Sequence, residues 1–187
     1  MGNFYTNVTT RGPSQVDIAA LLRILDRKAF LTPTTNGFTV VCDRECENQD
    51  TDLLASLALT LSTHLACPAL ATLNHDDDVL WYQLYDAGSL SDAYISSPEW
   101  WEDLAEAPPR GSSEILCGRM GAPGDPARVK KVLARSTGVF GYLFAIQRHV
   151  DLLKALGQPL FAAGLGYNYA SRDDLTDGLT PEKLLLV

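Results

Sequence analysis

An α+β fold is what this sequence predicts, on three observations. Through residue 95, short β-branched and aromatic segments alternate with two stretches of helical periodicity. In residues 79–85, Leu80, Tyr82 and Leu84 alternate with Val79 and Trp81 instead of with charges, so this strand is apolar on both faces and needs cover on both. After Ser97 the chain turns to helical stripes with an apolar surface of their own, which can supply that cover.

The elements follow in order. Residues 4–10 are β-branched and aromatic and stop at Gly12-Pro13, a first strand with Phe4, Thr6 and Val8 on one face and Tyr5, Asn7 and Thr9 on the other. Ser14 with Asp17 makes a capping-box start for a helix that runs to about Arg27. Residues 29–32 and 38–43 are extended segments around Asn36-Gly37, a hairpin signal because both turn residues tolerate positive φ. Asp50 or Asp52 caps a helix in which Leu54, Leu57, Ala58, Leu61 and Leu65 recur at helical spacing up to Cys67-Pro68. Residues 69–75 and 79–85 form a hairpin about Asp76, Asp77 and Asp78, and residues 90–95 a further short strand.

This strand, helix, strand, strand, helix, strand order with an added edge hairpin resembles the ferredoxin-like split βαβ arrangement, a topology that hosts unrelated functions. Residues 1–96 are expected to form the sheet half and residues 97–187 a helical half packed on it, with helices expected over residues 98–105, 112–120, 126–135 and 139–156 and a last short one after Thr180-Pro181. The two halves are expected to make one compact domain, with Trp81, Tyr82, Tyr85, Tyr94, Trp100 and Trp101 in the seam between them.

With 187 residues, 46% hydrophobic and 20% charged, the chain has the balance of a globular protein able to bury its core without staples. A formal charge of -8 argues against nucleic acid, whose binding draws on clustered Lys and Arg; Arg128, Lys130, Lys131 and Arg135 read as the solvated face of one helix. No apolar run approaches the ~20 residues of a membrane helix, no secretory signal opens the sequence, and four irregularly spaced cysteines form no disulfide framework, so a cytoplasmic location and no membrane partner are expected. Cys42 and Cys46 with His64 or His75 match no zinc spacing, and no cofactor or metal is expected.

One cluster is dense enough in ligands to suggest a site. His75 beside Asp76 and Asp78 offers a general base with carboxylate support, and Asn74 and Asp77 add polar groups, with Trp81, Tyr82, Trp100 and Trp101 as binding aromatics nearby. Against catalysis stand the absent nucleophile motif and the preference of Asp and Asn for solvated turns. Gly164-Leu165-Gly166 starts like a dinucleotide fingerprint but has tyrosine at the third glycine position and follows a helix.

Met-Gly-Asn-Phe-Tyr-Thr-Asn at the start, residues 73–85, Arg148-His149 and Gly166-Tyr167-Asn168-Tyr169 together resemble a family of uncharacterised bacterial proteins of unknown function over nearly the whole chain. That resemblance implies no activity, cofactor or catalytic residue. The expectation is therefore a binding or regulatory module for a protein or small molecule, one form of which is an immunity protein acting by surface complementarity to a toxin. The alternative is a hydrolase using His75 with Asp76 or Asp78, with or without a metal.

Overall fold

The computed structural model describes residues 2–100, 107–121, 125–135, 141–176 and 178–187. Its centre is a seven-stranded sheet in the order β6-β5-β4-β1-β3-β2-β7, with every neighbouring pair antiparallel. The strands are β1 (Tyr5–Arg11), β2 (Ala29–Leu31), β3 (Phe38–Asp43), β4 (Ala69–His75), β5 (Val79–Asp86), β6 (Ser89–Ile95) and β7 (Leu185–Leu186). Helix α1 (Gln15–Ile24) carries the chain from β1 to β2 across β3, and α2 (Thr51–Leu65) carries it from β3 to β4 across β1.

Local chemistry accounts for these elements. The Ser14 hydroxyl and the Asp17 carboxylate close a reciprocal capping box at the start of α1, and the Asp50 carboxylate accepts from the Asp52 and Leu53 amides at the start of α2. Asn36 and Gly37 both have positive φ, 54° and 81°, which lets Thr35 and Phe38 exchange backbone hydrogen bonds across a two-residue turn. Ala87 and Gly88 turn the chain in the same way between β5 and β6.

Both faces of the sheet are covered. On one, Val8, Val41, Ala71, Leu73, Val79 and Trp81 pack against Ile18 and Leu22 of α1 and Leu54, Leu57 and Leu61 of α2. On the other, Phe38, Leu70, Leu80, Tyr82, Leu84 and Tyr94 meet α3 (Ser113–Met120), α4 (Pro126–Leu133) and α5 (Ala145–Leu156). Further along that face Val40 and Cys42 meet Leu153, Phe161, Leu165, Ala170 and Leu179. Here Asn7 Nδ2 donates to the Ala162 and Leu165 carbonyls, and Gly166 lies so close to β1 that a Cβ on it would sit 3.0 Å from that of Tyr5. The Gly164–Gly166 stretch is thus a close approach between chain segments, followed by α6 (Tyr167–Ser171), a short helix the sequence pattern did not signal.

Three expectations are corrected. The long helix begins at Ala145, not near residue 139: Phe144 is its extended N-cap residue, and the Ala145 amide donates to the Asp77 carbonyl, a tertiary bond that sets where the helix starts. Residues 136–140 lie outside the described residues, as do residues 101–106, so of the helix expected over 98–105 only the 3-10 turn Pro98–Trp100 can be assigned. After Pro181 the chain makes one 3-10 turn and then pairs as β7 with the open edge of β2, because the Ala29 amide and carbonyl there find partners in Val187. The aromatic run is also divided: Tyr82 and Tyr94 stack at 5.4 Å in the seam, whereas Trp81 and Tyr85 face α2 on the opposite side.

Truncation after Gly111 would strip the cover from Phe38, Leu70, Leu80, Tyr82 and Leu84. The remaining fragment is expected to aggregate on expression, and size-exclusion chromatography with a thermal melt checks this; a monomeric fragment melting cooperatively would contradict the two-sided core.

Candidate functional site

The loop after β3 prepares one wall of the site. The Asp43 carboxylate is buried and takes a bidentate pair from Arg27, with Nε to Oδ2 at 2.9 Å and Nη2 to Oδ1 at 2.6 Å, while Oδ1 also accepts from the Glu45 and Cys46 amides. So anchored, the chain makes a 3-10 turn over Cys46–Asn48 and leaves it at Gln49 with φ 62°, an uncommon conformation for a residue with a long side chain. Gln49 Nε2 donates to the Asn74 carbonyl at 2.9 Å, so its Oε1 faces the His75 ring and accepts from Nδ1 in a short contact. His75 therefore carries its proton on Nδ1 when neutral, leaving Nε2 as the acceptor.

The His75 ring stands between two aromatic rings, Phe4 at 5.1 Å edge-on and Trp100 at 4.8 Å. It lines a groove of about 640 Å³ with Asn48, Gln49, Thr51, Asp52, Leu73, Val79, Trp81, Ile95 and Trp100. The floor follows from strand register: Leu73, Trp81 and Ile95 are cross-strand neighbours on one row, and His75 and Val79 on the next. Trp100 remains 48% exposed at the rim. Among the described lining residues Asp52 is the one carboxylate, and no Lys or Arg is present.

The aspartates expected to assist His75 point elsewhere. Asp76 Oδ1 accepts from the Gly2 amide at 3.0 Å and Asp77 Oδ2 from Asn3 Nδ2 at 2.8 Å. Asp77 also gives its carbonyl to Ala145, and the Asp78 carbonyl accepts from Ser97. Asp76 and Asp77 have φ of 49° and 60°, tolerable for aspartate, and the Asn74 Oδ1 accepts from the Asp77 amide to close the turn. Among the described residues the Asp78 amide donates to the His75 carbonyl, but neither the Asp76 nor the Asp78 carboxylate is hydrogen-bonded to the His75 ring, and none form a cluster of three or more metal-ligating side chains. Cys42 and Cys46 are buried, and burial pushes the Cys46 thiol up to about 12, so it stays protonated.

His75, Trp81 and Trp100 of the expected site residues are therefore brought together, and Asn74 contributes its carbonyl behind them. Tyr82 is buried on the opposite sheet face with its hydroxyl donating to Asp92, and Trp101 lies outside the described residues. Gln49 and Asp52 had not been singled out; their helix-cap neighbourhood was visible in the sequence, but their approach to His75 spans 26 and 23 positions and has no local signal.

Behind the turn lies a buried polar network. Asn74 Nδ2 donates to Tyr5 Oη at 3.4 Å, and the Tyr5 hydroxyl is hydrogen-bonded to His149 Nδ1 at 2.7 Å. Burial lowers the pKa of His149 from 6.5 to about 3 and raises that of Tyr5, so both are neutral.

Compared with protein-family models, with curated proteins and with solved structures, the chain matches none. Neither membership of the bacterial family nor kinship with ferredoxin-like proteins is thereby shown, and no helix among the described residues is long and apolar enough to cross a membrane.

Two measurements check this geometry. Long-range ¹H–¹⁵N NMR above pH 7 is expected to find His75 mainly as the Nδ1–H tautomer, and Gln49→Leu to return it to the usual Nε2–H form; an Nε2–H majority in both proteins would refute the amide contact. His149 binds a proton more readily unfolded than folded, so its contribution to stability is lost as pH falls from 6.5 towards about 3, by up to about 1.4 kcal/mol per pH unit. Urea unfolding at pH 7, 5.5 and 4.5 should accordingly show the stability gap between wild type and His149→Gln narrowing as pH falls, and a constant gap would mean that His149 titrates normally.

Proposed function

We propose that the protein is a cytosolic binding module whose ligand enters the groove around His75, presenting a flat apolar face together with a positive charge. One observation carries this reading: the His75 ring is held by an amide and flanked by aromatic rings, in a groove whose one carboxylate, Asp52, has no cationic neighbour among the described lining residues. A catalytic dyad needs a carboxylate on the imidazole to fix and strengthen the base. An amide oxygen fixes the ring without adding charge, which suits recognition. Trp100, half exposed at the rim, gives a face on which a cation or an aromatic ring gains binding energy. The four thiols are free and three of them are buried, which supports a reducing compartment.

The probe is phenethylammonium, compared with its neutral counterpart phenethyl alcohol by tryptophan-fluorescence titration. Phenethylammonium is expected to quench saturably and to bind more tightly than the alcohol. Asp52→Asn should weaken it about fivefold, the size of one exposed charge interaction of ~1 kcal/mol, and abolish its advantage over the alcohol. Trp100→Ala should weaken both probes. Quenching that never saturates, or that is unchanged in the two variants, would remove the groove as the binding site.

A further inference from the structure

On the opposite sheet face, at the same end of the molecule, lies a second concavity. It has a volume of about 350 Å³ and its lining includes Arg135, Arg148, Tyr142 and Ser97, with Phe144 and Ala145 at the start of α5. Arg148 is only 5% exposed. Its Nη1 donates to the Tyr94 hydroxyl at 2.9 Å, to the Ala134 carbonyl at 3.0 Å and to the Val132 carbonyl, and its guanidinium lies 4.6 Å from the centre of the Tyr142 ring. Its Nε and Nη2 have no hydrogen-bond partner among the described residues, and no carboxylate there lies within ion-pair distance of it.

Arg135 is built in the same way. It lies past the end of α4, not on that helix's solvated face as the sequence suggests, and it donates to the backbone carbonyls of Ile95, Pro108 and Pro109. Burial, with the charges of Arg110 and Arg148, pushes its pKa down, and Tyr94 and Glu99 offset this only in part. The third contribution is α5, a helix of 12 residues whose N-cap residue Phe144 makes no side-chain cap. Its first amide is taken by the Asp77 carbonyl, but the positive end of its dipole still faces this concavity, where Phe144 and Ala145 form part of the wall. Three carboxylates also line the cleft, but Asp77 is engaged by Asn3 and Asn74, and Asp78 and Glu99 are exposed to solvent.

Two guanidiniums that keep N–H groups without a partner among the described residues, and a helix start, converge on one small space, and these are the elements of an oxyanion site. The geometry points to the Arg135–Arg148 cleft as a binding site for a small oxyanion, a carboxylate or phosphate group, held by the two guanidiniums over the start of α5. This site is separate from the His75 groove and does not depend on the reading given for it. The chemistry shared by the two oxyanions is a set of planar or tetrahedral oxygens that accept from paired N–H donors, which chloride cannot reproduce.

The test is a titration of the intact protein with sodium phosphate and, separately, sodium acetate, against sodium chloride at matched ionic strength. It is read by ¹H–¹⁵N NMR and by thermal shift. At least one oxyanion is expected to saturate in the millimolar range, to move the Ile146 and Gln147 amides and the Arg135 and Arg148 Nε–H signals together, and to raise Tm where chloride does not. Comparison of the two salts assigns the group as phosphate or carboxylate. Arg135→Gln should abolish the saturable shift. Because Arg148 also holds the end of α4, the milder Arg148→Lys is used there, and a loss of affinity of at least tenfold with a retained fold is expected. Non-saturating shifts, shifts equally large with chloride, or localised binding that survives both substitutions would each overturn the proposal. The phenethylammonium titration of the groove should be unaffected by Arg135→Gln, so failure at one site is distinguishable from failure at the other.

Discussion

A strand whose two faces are both apolar cannot be stable against water on either, and this condition organises the whole chain. Every residue of β1 but its last is buried, and β4 and β5 are buried along nearly all their length. The first half supplies two helices and both are on one face, since α1 and α2 join strands lying two places apart in the sheet and cross on the same side. The second face then needs cover from the remainder of the chain, and α3 to α6 with their connecting turns provide it. At the edges, β7 pairs for only two residues, while β6 is exposed at its first two residues and pairs with β5 through a register shift at Leu84/Tyr85. Short pairing and an irregular ladder both discourage a second chain from extending the sheet.

The turn from Asn74 to Asp78 is where the two layers are tied at one end. Its acidity first suggests a metal or a catalytic base, but the atoms are committed to the fold: side chains of Asp76 and Asp77 hold the chain start, the Asp77 carbonyl receives α5, and the Asp78 carbonyl receives Ser97. Aspartate and asparagine suit this role because they accept local amides and tolerate positive φ, which two of the residues adopt. A Cβ on Gly2 would fall 2.3 Å from the Asp76 carbonyl oxygen, so the chain start is also shaped to this turn. The turn thereby separates the two concavities, with the His75 groove on the α2 side and the arginine cleft on the α5 side.

What was legible in the sequence is what depends on neighbours along the chain. The capping box of Ser14 and Asp17, the cap at Asp50, the Asn36-Gly37 turn and the two-faced apolar pattern of β5 are each decided within a few residues, and each is found as read. The start of α5 was not legible, because the carbonyl that sets it belongs to Asp77, 68 positions earlier. Nor was β7, whose two leucines read as the end of a helix until the open edge of β2 claims them. In the groove His75, Trp81 and Trp100 could be named from their chemistry alone, but the partner of His75 could not. Adjacent aspartates looked nearest in sequence, whereas Gln49, placed by the Arg27–Asp43 anchor, is nearest in space.

Arg148 and His149 show how one environment yields two different outcomes. Both lie almost wholly buried on α5, among tyrosines and carbonyl groups. Histidine can answer by giving up its proton: His149 is neutral and its Nδ1 is hydrogen-bonded to the Tyr5 hydroxyl. A guanidinium keeps its charge at physiological pH, so the surroundings have to answer instead. They do so in part, through the Tyr94 hydroxyl, the two carbonyls at the end of α4 and the face of Tyr142, all of which are dipoles and none of which is an anion. Dipoles can satisfy the N–H groups on one side of the guanidinium, but they leave its net charge standing beside that of Arg135 in a chain whose overall charge is -8. Two guanidiniums held in place by backbone carbonyls, beside an Asp77 engaged by amides and the exposed Asp78 and Glu99, form a fixed donor set on which an oxyanion is selected from solution.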